Sequence, residues 1–90
     1  MAKKPLTDTD RLHLGLHAAA YMRWMKARKR TDFFAEKTHA YIEEILEMGG
    51  FAHDPSDVQV IETSAQLHDP GAVDEFIKER GFFGKLDALT

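Results

Sequence analysis

Two histidines, His13 and His17, stand four residues apart in a stretch that reads as helix, so both can face one side, as two metal ligands on one helix must. His39, His53 and His68 bring the total to five in 90 residues. A tetrahedral metal site needs further ligands, and the chain has no cysteine and no His-Glu-x-x-His acid beside the pair. Both rings are therefore read as packing at the helix edge near Ala20, Tyr21 and Trp24, with a polar tip outward. No metal site and no cofactor are expected. His39 lies one turn from Ala35 and Ile42, where burial would favour the neutral ring and protonation would loosen the packing.

Other catalytic chemistry finds no support. The sequence lacks a Gly-x-Ser-x-Gly elbow, a Gly-x-x-x-x-Gly-Lys loop and a Gly-x-Gly-x-x-Gly fingerprint. Ser56 and Ser64 are the only serines, and both sit among helix-start or polar residues. Adjacent carboxylates such as Glu43-Glu44 and Asp74-Glu75 diverge by about 100° on a helix and read as solvated surface. The chain is not expected to be an enzyme.

Binding chemistry is better represented. In Arg23-Trp24-Met25-Lys26-Ala27-Arg28-Lys29-Arg30 there are five cations in eight residues. As nucleic-acid contacts, Arg23, Lys26, Arg28, Lys29 and Arg30 would hold phosphates while Trp24 stacks on a base. The rest of the chain opposes this. Residues 1–30 carry eight Lys or Arg against two Asp, whereas residues 31–90 carry four cations against thirteen carboxylates, and the total is −3. A polyanion would be repelled unless the acidic part faces away. The cations also complement the dipole at a helix C-terminus.

Protein association uses more of these features. Met22, Trp24, Met25, Arg28 and Phe83 form the candidate partner-binding set, since aromatic, Met and Arg residues are enriched at interface cores. Two opposite charge fields would orient a protein partner or a second copy in a homodimer. The expected function is a non-catalytic protein-interaction or regulatory protein acting through an apolar and basic first helix and an acidic surface. One form of it is an inhibitor of a larger macromolecular complex. The alternative is a nucleic-acid-binding module built on Arg23–Arg30.

Four helices would position these residues. The first begins at Thr7, where Thr7-x-x-Asp10 has capping-box spacing, and runs on toward Lys29 with Gly15 as its one weak point. Leu14, Ala18, Tyr21 and Met25 form one apolar stripe, and Leu12, Leu16, Ala19 and Ala20 another. A helix apolar on so many sides is enclosed by neighbours or shared with a second subunit, and here it is expected to keep an uncovered flank. The second helix is expected from a Thr31 or Asp32 cap to Met48, ending at Gly49-Gly50 with Leu46 and Phe51 in contact. His53-Asp54-Pro55 and His68-Asp69-Pro70 each place a capping Asp before a Pro at the first helical position. They start a third helix through Val58–Thr63 and a fourth carrying Val73, Phe76 and Ile77, closed by Gly81.

The fold class expected is all-α, a small bundle of three to four helices, with helices one and two as the main antiparallel pair. Residues 1–90 form one domain, with 1–6 a flexible N-terminus and 83–90 a docked or mobile tail. Phe82 and Phe83 cannot both face the core, so one is left at the edge. With 43% apolar and 30% charged residues the chain is neither collagenous nor disordered. No apolar run reaches the roughly 20 residues of a membrane span, so no membrane partner is expected. No apolar segment follows Lys3-Lys4, so no secretory signal is read and a cytoplasmic location is expected.

Overall fold

Each helix begins and ends where local backbone chemistry allows it. In a computed structural model of the chain, which describes residues 3–89, these rules produce five α-helices and no strand among the described residues. Helix α1 spans Asp8–Ala27, and its cap is Thr7. The Thr7 hydroxyl accepts from the Asp10 N–H at 3.1 Å, and the Asp10 carboxylate accepts from the Thr7 N–H at 3.1 Å. Helix α3, Pro55–Leu67, repeats the device: Asp54 accepts from the N–H groups of Ser56 and Asp57, and Asp57 accepts from the N–H of Asp54. Helix α4, Pro70–Arg80, is capped by Asp69, which accepts from the Ala72 N–H. In α3 and α4 proline occupies the first position, where its missing N–H leaves no bond unmade.

Helix α2, Phe34–Met48, ends in a Schellman arrangement. The Phe51 N–H reaches the Leu46 carbonyl, the Gly50 N–H reaches that of Glu47, and Gly50 takes φ of 71°. The start of α2 differs from expectation. Neither Thr31 nor Asp32 caps it; Phe33 does, in the left-handed region at φ 57° and with no side-chain cap bond. The cause lies upstream, where α1 ends in its own Schellman turn with Lys29 as the left-handed residue. Arg30 N–H bonds to Met25 and Lys29 N–H to Lys26. The chain then has only four residues in which to reverse, and Phe33 completes the turn.

The bundle thus has five helices rather than three or four. Gly81, at φ 57°, ends α4 with its N–H on the Ile77 carbonyl, while its own carbonyl accepts from Lys85 to open α5, Phe82–Ala88. The tail residues therefore form a docked helix. Phe82 is buried and Phe83 is half-buried at the edge. At the other end, Lys4 of the segment expected to be flexible is bridged by backbone to Gly50 and Ala52, both at 2.8 Å.

The pairing of helices also differs from expectation. Helix α2 does run antiparallel to α1, setting Tyr41 on Tyr21 and Phe34 beside Lys26. The most extensive contact, however, is between α1 and α3. Its reason is Gly15, where an added Cβ would lie 2.6 Å from Ser64 Oγ and 3.0 Å from Ser64 Cβ. Helix α1 touches all four other helices, and Ala18 and Ala20 are fully enclosed. Ile42 and Leu46 of α2, Val58 and Ile61 of α3, and Phe76 of α4 complete the core around it.

Two substitutions test these contacts by their urea midpoints. Gly15→Ala should lower stability by about 1–2 kcal/mol, because overpacking outweighs the gain in helix propensity, and Ser64→Ala should restore part of the loss. Lys29→Gly should raise stability by about 1 kcal/mol by removing a side chain from a left-handed position.

Candidate interaction surface

The basic segment does not form one face. Arg23 pairs with Asp74 and reaches the Pro70 carbonyl on α4, and Lys26 lies 5.5 Å from the Phe34 ring centre on α2. Arg28 grips Asp87 of α5 through two bonds, at 3.0 and 2.6 Å, and its guanidinium lies 5.5 Å from the Phe83 ring. Arg30 stacks over Trp24 at 5.3 Å. Three of the cations thus reach three different helices. Among the described residues, Lys26 and Lys29 have no carboxylate within ion-pair distance.

The residues of the partner-binding set fall in two environments. Trp24 and Met25 lie inside, 3% and 1% exposed. The Trp24 indole N–H donates to Asp87 at 2.9 Å, joining the Arg28 bonds that hold this carboxyl below the usual carboxylate range. Met22, Phe83 and Arg28 stay at the surface or its edge, with Phe83 under Arg28. The expected uncovered flank of α1 shrinks to one large apolar side chain, Leu12, which is 59% exposed.

His13 and His17 do come together, with ring centres 4.9 Å apart in an edge-on arrangement. His17 packs against Phe76 at 4.8 Å and Phe82 at 5.9 Å. Among the described residues no group of three His, Cys, Asp or Glu side chains could hold a metal ion. Burial against these rings, with His13, Arg80 and Lys85 nearby, pushes His17 down to about 4. His39 is exposed and faces Glu43 at 3.2 Å. Tyr21 and Tyr41 stack at 4.1 Å, and burial raises both phenols.

Two concave surfaces gather most of the large apolar side chains that stay outside, Phe33 excepted. One groove, of about 600 Å³, lies between α1 and α3 and includes Leu12, Val60 and Leu67. The second, of about 710 Å³, is lined by residues of α1, α2 and α5, among them His17, Tyr21, Trp24 and Met48, and by Leu89. Sequence reasoning points to Met48 as a residue for protein association but misses Val60, Leu67 and Leu89 as surface groups. For Val60 and Leu67 a signal existed, because they fall opposite Val58, Ile61 and Ala65 at helical spacing.

No family model, curated protein or solved structure matches this chain. No helix among the described residues is long and apolar enough to cross a membrane.

His17 gives the protein a pH dependence with a defined sign. Its unfolded value is near 6.5 and its folded value about 4. Between these values only the unfolded chain takes up the proton. Its contribution is thus complete above pH 6.5 and declines as pH falls to about 4. Urea midpoints of the wild type and His17→Gln between these pH values should show a shallower decline in the variant.

Proposed function

We propose that this chain is a non-catalytic protein-interaction or regulatory protein. The observation that supports this reading most is where its exposed large apolar residues lie. Among the described residues there are six, Leu12, Phe33, Met48, Val60, Leu67 and Leu89, and five of them line the two grooves. Scattered apolar side chains are ordinary on a protein surface, whereas gathered ones mark contact sites. The regulatory form of the reading, an inhibitor of a larger macromolecular complex, would present the acidic face of Glu43, Glu44 and Glu47 beside Met48.

The surface cations give the nucleic-acid reading a narrower basis. Lys26, Lys29 and Arg30 remain exposed, as does Phe33, while Arg23 and Arg28 are committed to Asp74 and Asp87.

The two readings separate in one pair of assays. The wild type used as bait should retain a protein, including its own copy, that the Met48→Lys/Leu67→Lys double variant loses while its thermal unfolding is unchanged. Identical retention by both baits would sink the interaction reading. Binding to random RNA or DNA at low salt, weakening steeply as salt is added, would support the alternative.

A further inference from the structure

Helix α3 carries apolar side chains on two opposite sides. At 100° per residue, Val58, Ile61 and Ala65 share one face and are buried in the core. Ser56, Val60, Thr63 and Leu67 share the opposite face; Leu67 is 80% exposed. The two charged side chains of α3 leave from its flanks, and Asp57 is held by Arg11 at 3.2 Å. The outward stripe forms one side of the groove toward α1. His68 donates from Nε2 to the Leu12 carbonyl at 3.1 Å, tying the end of α3 to α1 there.

That groove has no Asp, Glu, Lys or Arg in its lining, although 30% of the chain's residues are charged. Three other concave surfaces carry charge: one has three glutamates, one Lys37, Glu44 and Lys85, and one Arg23 and Lys26.

We infer that this face binds a second copy of the same chain, α3 against α3, antiparallel about a two-fold axis. The inference rests on the interaction reading and names its partner. Charge is the first argument. Each copy has a formal charge of −3, and an uncharged face lets two such copies meet without enclosing like charges.

Shape is the second. The stripe carries two small polar and two larger apolar residues. An antiparallel crossing centred between Ile61 and Glu62 sets Leu67 of each copy opposite Ser56 of the other, and Val60 opposite Thr63. Leu67 then meets the much smaller Ser56 and enters the other copy's groove beside Leu12, while Val60 meets the similarly sized Thr63. Such a pairing buries on the order of 1,000 Å² in total, near the lower bound for a specific interface, so the dimer is expected to be concentration-dependent.

Sedimentation of the full chain from about 1 μM to about 1 mM tests this. The mass should rise from 10.2 kDa toward twice that value. Val60→Lys, Thr63→Glu and Leu67→Glu, all at exposed positions, should each weaken association by at least about tenfold with unchanged thermal unfolding. A mixture of the Val60→Lys and Thr63→Glu chains should recover the dimer, because the antiparallel register sets those two positions against each other. Failure of that mixture after the single variants have dissociated would overturn the register. A wild type that stays monomeric throughout, or a dimer indifferent to all three substitutions, would overturn the proposal. If a different protein is retained by the wild type and lost by Leu67→Glu while the chain stays monomeric, the second copy is ruled out and the interaction reading stands.

Discussion

The fold depends on how closely α3 approaches α1 at Gly15. Helix α1 sits at the centre, and a central helix can have neighbours on every side only if some of its positions are nearly bare. Gly15, Ala18, Ala19 and Ala20 provide them within six residues, and all four are buried. At Gly15 even one added methyl would collide with Ser64. Pushing α3 outward there would draw Val58 and Ile61 away from the core, and these are among the most enclosed side chains in the molecule. The same close approach shapes the surface beside it. Ser64 is small and Leu12 projects one turn away, so a groove opens along the seam of the two helices.

Charge acts in this structure mainly as a set of ties between helices. The cationic run at the end of α1 radiates, with Arg23 to α4, Lys26 to α2 and Arg28 to α5. Five Lys or Arg groups lie within 6 Å of an aromatic ring centre, from Lys4 on Phe51 to Arg80 on Phe76. An exposed pair of this kind contributes about 0.5–1 kcal/mol, enough to hold a small helix in place without deep burial. Four ion pairs, Lys3–Glu47, Arg11–Asp57, Arg23–Asp74 and Arg28–Asp87, join the cationic and acidic parts of the chain.

What could be read from the residues was whatever depends on near neighbours. Thr7, Asp54 and Asp69 cap helices because their side chains reach N–H groups two or three residues on, and Gly50 ends α2 because glycine accepts a positive φ. Lys29 and Phe33 take the same left-handed region without being glycine, and nothing in their type announces it. The seven residues of α5 are too few for a periodic pattern, and the dominance of the α1–α3 contact depends on Ser64, far along the chain from Gly15. The candidate surface was legible only in part. Residue type singled out Trp24 and Met25, but enclosure by α5 and the core decides that both are internal. Leu12 reads as part of an apolar stripe and Val60 as a member of a helix, whereas Leu67 lies beyond the Val58–Thr63 segment that the residues mark out.

Asp87 has a consequence for how the molecule comes apart. Helix α5 contacts α1 and α4, and it is fastened by Phe82 in the core, by Phe83 and Leu86 at its edge, and by the Asp87 carboxylate on Trp24 and Arg28. Helices held by so few contacts open on their own, below the free energy of global unfolding. Such a partial opening would bare the indole while Ile42, Leu46 and Ile61 stay packed. Since Trp24 is the sole tryptophan, its emission registers the detachment of this last helix separately from the collapse of the remaining four.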